Sequence, residues 1–494
     1  MNARLRAAAL LRAGPLAALL ICSAIPLLFI AVRFAAAPAV DLSSLWQTLR
    51  FAVMAAGVSI VVGGSCGAIA GTLDVPGRRW ATGCATLLIA APPAFWWIGF
   101  TRLPGGFGSW SGVAGGSVVA GVALAPITLL LVLAAAREIP SNVYQAARLY
   151  MDPVRRFRFI LLPLLRPALT AGFLLTVIIL LGESEIPFLF GFRTSMTDIV
   201  TTFSQTFELG TVVPLVLPLL VTVFALGLVM ANALFAVLVS APASGRGVTR
   251  RPAKTGMAIG LLPLPALAAL SLTGYGWASM SSGAGVWGRV PAGVATVSAS
   301  IAEPVLCALA GVAIAISAAY PVRRSAAVRP LMVISLLLFC VPAGIIALGW
   351  VGVGQAAGGV AVAPAIAHVS RAIALPALGF LVAYSRMSPS LEQAARLVDI
   401  SSIRRAWILV LPLLAPSIVA ASAMTAALIF ADRDVTSLLL APGQSRLMLN
   451  LYLLSANAPS AVVGAAALVV FASGAVVIAL AAILPFLVFG RRRD

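Results

Sequence analysis

The chain offers few side chains for chemistry. It holds 14 Asp and Glu and a single His, and the acids that stand out are Glu183 and Glu185, near the end of an apolar run, with Asp432 and Asp434 repeating the pair 249 residues later. Ionisable groups at membrane depth cost of order 2.5–3.5 kcal/mol at the bilayer centre and usually face a bundle interior or a water-filled cavity. Residues i and i+2 of a regular helix point about 200° apart. Both acids of a pair therefore reach one cavity only where the helix breaks, and Gly182 and Pro187 make such a break plausible. The acids have two readings, an outer helix end dipping into water or a substrate pathway. His368 and Arg371 share a helix face at i and i+3, and Arg371 is a candidate partner for Asp432 or Asp434. One His cannot complete a metal site, and neither metal nor cofactor is expected.

Other motifs carry less. The single lysine, Lys254, lies in Arg-Pro-Ala-Lys-Thr-Gly, without the GxxxxGK[ST] loop that cradles nucleotide phosphates, so the chain has no ATPase site of that kind. Gly352-Val353-Gly354 with Gly358 lacks the ending of a dinucleotide loop and reads as a flexible outer loop. The cysteines (Cys22, Cys66, Cys84, Cys307, Cys340) show no CxxC spacing and read as packing residues. An enzyme is not expected.

The elements that position these residues follow from composition. Of 494 residues 61% are apolar and 10% charged, with mean hydropathy +1.08, whereas soluble chains carry about 25% charged residues. The apolar residues form runs of about 20, long enough to cross a bilayer as helices. Spans are expected near 15–36, 50–72, 80–101, 111–136, 167–190, 211–240, 257–280, 297–320, 330–353, 360–384, 416–431 and 460–489, about twelve in all. The fold class is an all-α polytopic membrane protein. Net charge is +19, but most arginines lie in the short segments between spans, which reads as topogenic charge with both termini cytoplasmic rather than as a nucleic-acid surface. The first run is long and lacks a clear cleavage site, so it reads as an uncleaved span. Gly63, Gly67 and Gly71, four apart, predict two closely packed spans.

An internal repeat organises the whole. Gln145-Ala146-Ala147-Arg148-Leu149, then Arg155-Arg156, Leu162-Pro163-Leu164-Leu165 and Pro167, returns as Gln393-Ala394-Ala395-Arg396-Leu397, Arg404-Arg405, Leu411-Pro412-Leu413-Leu414 and Pro416, 248 to 249 residues on. This predicts a tandem duplication into 1–250 and 251–494, two parallel halves of about six spans, joined by a small, polar and basic tether from Ser240 to Lys254. The repeated segments, 138–166 and 386–415, read as cytoplasmic loops. In each, a short amphipathic helix with a flat alanine surface is followed by a Leu-Pro that breaks it.

In this loop the chain resembles the permeases of binding-protein-dependent ABC importers, whose signature runs Glu-Ala-Ala, three residues, Gly, nine residues, Ile-x-Leu-Pro. It is most similar to the fused subclass, with both permease halves in one chain, as in iron(III) and thiamine importers. Gln145 and Gln393 stand where the family has glutamate, and Met151 and Asp399 where it has glycine; Asp152 is the candidate for the left-handed turn that the glycine would make. The resemblance implies that the loop helices, with Gln145, Ala146, Ala147, Arg148, Met151 and Asp152, and Gln393, Ala394, Ala395, Arg396 and Asp399, couple to two copies of a cytoplasmic ATPase subunit. It also implies an extracytoplasmic solute-binding protein as partner and a place in the bacterial inner membrane. A substrate pathway would involve Glu183, Glu185, Arg371, Asp432 and Asp434, with ferric iron, thiamine, a polyamine or another small solute as cargo. A self-contained secondary transporter of two six-span halves is the alternative.

Overall fold

The computed structural model describes residues 24–28, 30, 42–74, 78–89, 93–101, 111–137, 139, 141–240, 251–252, 263–280, 284–322, 328–357, 363–385, 387, 393, 404, 406–441 and 443–489. They are overwhelmingly helical. The one exception to helical pairing among them is a two-residue parallel bridge in which Leu73 and Asp74 face Arg251 and Pro252. Among the described residues eight helices are long and apolar enough to cross a membrane, or nine with one bent pair, and the chain is an all-α polytopic membrane protein. It forms two compact units. One comprises Ala36–Pro291 with Asn450–Phe471, the other Met1–Ala35, Ala292–Leu449 and Ala472–Asp494.

The first unit contains α1 (Ser43–Thr72), α2 (Arg78–Leu88), α3 (Pro93–Thr101), α4 (Gly112–Arg137) and α5 (Ser141–Tyr150). It continues with α6 (Phe157–Leu181), α7 (Glu185–Phe190), α8 (Ser195–Thr206), α9 (Leu209–Ser240) and α10 (Pro263–Met280). Its centre is the trio α1, α4 and α6, each packed on the other two. Glycine sets their spacing. A Cβ on Gly67 would sit 2.6 Å from the Leu129 carbonyl oxygen, and those on Gly63 and Gly71 would strike Ala125 and Ala136, so only glycine lets α1 lie this close to α4. Where the backbones meet, hydroxyls join them: Ser59 Oγ lies 2.8 Å from Thr128 Oγ1 and accepts from Thr176 Oγ1 at 3.4 Å.

The second unit contains α11 (Val294–Val322), α12 (Val328–Cys340), α13 (Ala343–Ala357), α14 (Ala363–Ala372), α15 (Ala374–Ser385), α16 (Ala406–Ala431) and α17 (Asp434–Leu439). α18 (Leu447–Asn457) and α19 (Ser460–Phe489) complete the chain, each divided between the two units. Here α11 packs on α14, α15 and α16, and α15 on α16. A local contact recurs in both units. The Ser195 amide donates to Thr48 Oγ1 at 2.8 Å, and 252 residues on the Leu447 amide donates to Ser300 Oγ at 3.0 Å.

The expected twelve spans become eight or nine among the described residues. The run at 80–101 is split into α2 and α3, with Pro92-Pro93 where a continuous helix would need two more amide donors. The run at 330–353 is a pair of helices bent by 85° at Pro342, which lacks an amide hydrogen and disfavours helical backbone at Val341. Gly352 and Gly354 lie inside α13 rather than in a loop. The first expected span, 15–36, falls largely outside the described residues.

Candidate functional site

Both acid pairs sit at helix breaks. In the first half α6 ends at Leu181, Gly182 leaves helical geometry (φ −94°, ψ 3°), and α7 starts at Glu185. Glu183 closes the gap: its Oε1 accepts the Glu185 amide at 2.8 Å and the Ile186 amide at 3.3 Å, satisfying donors that a helix start leaves open. In the second half α16 ends at Ala431, Asp432 is extended, and α17 starts at Asp434. Asp432 Oδ1 accepts the Val435 amide at 3.2 Å. In each half a carboxylate thus caps the short helix that follows the break.

The two halves differ in what surrounds the cap. Asp432 Oδ2 also accepts from Arg371 Nη1 at 2.9 Å, with the Asp432 side chain 5% exposed. Asp434 pairs with its neighbour Arg433 at 2.9 Å. Glu185 is buried at the first turn of α7, where a negative charge complements the helix dipole. His368, on α14, does not act with Arg371. Its Nδ1 lies 3.1 Å from Glu303 Oε1 of α11, whose Oε2 accepts from Arg446 Nε at 2.8 Å. Arg371, Asp432, Glu303, His368 and Arg446 thus tie together α11, α14, the α16–α17 break and the start of α18. The sequence reading passed over Glu303 and Arg446. Glu303 could have been flagged as an acid inside an apolar run, whereas its pairing with a residue 143 positions away has no sequence signal.

Among the described residues no group of three or more His, Cys, Asp or Glu could hold a metal ion. The breaks show capping and ion pairing, and two small cavities, each with about 20 Å³ of space for a water-sized molecule, border the second break, each lined by His368, Ile429 and Asp432.

The repeated loop is described in the first half. α5 is the expected short amphipathic helix. Val143, Ala146, Leu149 and Tyr150 are exposed, Leu149 by 80% and Tyr150 by 86%, while Ala147 is buried at 5%. The outward alanine is therefore Ala146, and the outward stripe is apolar, where a solvated helix face would be polar. Nothing is described of the Gln145 and Arg148 side chains. Met151 is half-buried. Among the described residues Phe207 is the one non-glycine with positive φ, so Asp152 does not take the left-handed turn. It caps the next helical segment instead: Oδ2 accepts the Arg155 amide at 3.4 Å, its carbonyl the Arg156 amide at 2.9 Å. Of the second loop, Gln393 is helical and exposed; Ala394, Ala395, Arg396 and Asp399 lie outside the described residues.

No curated protein matches the chain. Residues 63–239, from the second half of α1 through α9 and so including α5 and the first acid pair, match the family described as binding-protein-dependent transport system inner membrane component. Over that stretch the chain is similar to this family of membrane permease components.

Proposed function

We propose that the chain is the permease subunit of an ABC importer with both permease halves, 1–250 and 251–494, in one polypeptide. The observation that carries this reading is the exposed apolar stripe of α5, in a loop inside the family match whose sequence returns 248 residues later. A soluble partner must cover such a stripe, and a cytoplasmic ATPase subunit is the partner the family supplies. Gln145, Ala146, Ala147, Arg148, Met151 and Asp152 form the first coupling segment; Gln393, Ala394, Ala395, Arg396 and Asp399 form the second. Two segments bind two ATPase copies. An extracytoplasmic binding protein delivers cargo, and both termini lie in the cytoplasm of a bacterial cell. The contact that recurs at Thr48–Ser195 and Ser300–Leu447 supports the two-half division.

For the cargo, Glu183, Glu185, Asp432 and Asp434 favour a cation, ferric iron first and thiamine or a polyamine as alternatives, along a path that includes Arg371. Purification in mild detergent tests the main reading. We expect an ATP-hydrolysing subunit to accompany the chain at two copies per chain; a transport-competent chain driven by a proton gradient, with no ATPase bound, would establish the secondary-transporter reading instead.

A further inference from the structure

α6 opens on an irregular turn. Residues Phe157–Leu161 are wound as a π-helix, and the Leu162 amide donates to the Phe157 carbonyl five residues back. The cause is in the sequence. Pro163 has no amide hydrogen, and in an α-helix its ring would strike the carbonyl of Phe159 four residues earlier, a clash that the wider turn avoids. The second half repeats the arrangement 249 residues on, where Ala406–Val410 are π-helical ahead of Pro412. In an unbroken α-helix residues eight apart diverge by about 80°. One α turn of 3.6 residues plus one π turn of about a residue more spans roughly eight residues, so the π turn brings Arg158 and Arg166 into line on one face, with Leu162 between them.

That face is open. Arg158, Leu162, Arg166 and Thr170 are all exposed, as are Phe157 and Phe159 beside them. Arg158 lies over the Phe159 ring at 5.7 Å, and Arg166 has no hydrogen-bond or ion-pair partner among the described residues. From Met151 to Thr170 the chain carries four arginines and one acid, and that acid, Asp152, lies 3.5 Å from Arg155 Nε. No carboxylate is left for the other guanidinium groups of the face. Arg166 stands nine residues past Phe157, where the 25-residue span begins, or about 14 Å along the axis. A lipid-facing charge at that depth is costly unless it bends back toward the interface or meets an anion. Cα–Cβ bonds tilt toward the helix N-terminus, which directs Arg166 back toward Arg158.

Charge and depth together decide the occupant. The anion that a lipid-facing surface meets is a headgroup phosphate, and a guanidinium presents its N–H donors in a fork that matches phosphate oxygens. A zwitterionic headgroup would bring its own cation to a face that already carries two, whereas an anionic one brings net negative charge. We infer that this face of α6 binds an anionic phospholipid, its phosphate held between Arg158 and Arg166 and its acyl chains against Leu162 and Phe159. The second half supplies an internal comparison. It keeps the π turn and an exposed ring, but the residues 249 positions on are Trp407 and Ala415 in place of the two arginines, so the corresponding face of α16 lacks the phosphate grip. The inference needs α6 to span a bilayer and does not rest on the importer reading.

Phosphatidylglycerol with a fluorescent acyl chain, titrated into the purified full chain in detergent, tests the assignment against phosphatidylcholine with the same acyl chain. Saturable binding of phosphatidylglycerol is expected, at least tenfold tighter than that of phosphatidylcholine. It should weaken at least tenfold in Arg166→Gln and in Arg158→Trp combined with Arg166→Ala, and stay unchanged in Arg404→Gln, which removes an exposed arginine from the second loop. Should the double variant fail to elute as a folded species, Arg166→Gln, a change at an exposed position, decides alone. Any of five results overturns the inference: the folded chain binds the two lipids equally; binding survives Arg166→Gln; Arg404→Gln weakens it as much, so that total charge is read; millimolar inorganic phosphate displaces the lipid, so that the arginines take a free anion; or a copurifying ATPase left in place blocks the lipid, which assigns the face to that protein. Binding to the bare chain needs no ATPase. Its failure leaves the importer reading standing, and failure of that reading leaves the lipid site standing.

Discussion

At the scale of single residues, Glu183 and Asp432 do related jobs with different burdens. Glu183 Oε1 caps two amides; Asp432 caps one and also holds Arg371. Capping needs an acceptor oxygen, whereas a pathway role for a cation needs the charge. Glu183→Gln keeps an amide oxygen for the cap, so folding stability should fall by no more than a few tenths of a kcal/mol, while Glu183→Ala should lose about 0.5–2 kcal/mol, read as thermal unfolding in detergent. Transport separates the two roles. If Gln at 183 transports normally and Ala does not, the residue is a cap; if both are slowed alike, its charge serves the cargo. Asp432→Asn weakens a partly buried ion pair as well, and a loss of about 1–3 kcal/mol is expected, larger than for Glu183→Gln. Equal losses at the two positions would show that the Arg371 contact contributes nothing to stability.

At the scale of elements, the loop helix carries a sharper prediction than the alanine pair alone suggests. Ala146 faces out and Ala147 faces in. Ala146→Glu adds a charge to a docking stripe and should abolish transport with normal abundance, whereas Ala147→Glu buries a carboxylate and should lower abundance itself, as read by immunoblot of membranes. Normal transport in Ala146→Glu would mean that this stripe is not the docking surface. α1 gives the packing counterpart: Gly67→Val drives a side chain into the Leu129 carbonyl and should reduce the folded fraction, while Gly57→Ala, with nothing within 4 Å of its added carbon, should not. These contrasts mark what was legible in sequence. Apolar runs, the glycine spacing, the loop helix and the helix break at Gly182 were readable because each follows from local pattern. The alanine that faces inward, the proline-directed 85° bend and the pairing of Glu303 with His368 and Arg446 were not, because tertiary neighbours decide them: Val341-Pro342 could end a span as readily as fold one back, and no periodicity links Glu303 to Arg446.

At the scale of the whole molecule, the two units share one local contact, the Ser195 amide on Thr48 and the Leu447 amide on Ser300, and differ in what lines their helices. The trio of α1, α4 and α6 has hydroxyls and phenyl rings where the corresponding helices of the second unit have Glu303 and His368. If each acid lines the path of an importer, its exposure to water changes as ATP is bound and hydrolysed by the partner subunits. Glu183→Cys and Asp432→Cys should then react with a small aqueous thiol reagent added from outside, and trapping ATP at the ATPase should change the rate at each position. Glu183→Gln combined with Asp432→Asn should slow transport while the ATPase stays bound, since neither position touches α5. Thiols that stay unlabelled in every nucleotide state, with transport unchanged in the double variant, would confine these acids to capping. Labelling that changes in only one half would place the moving passage wall in that half alone.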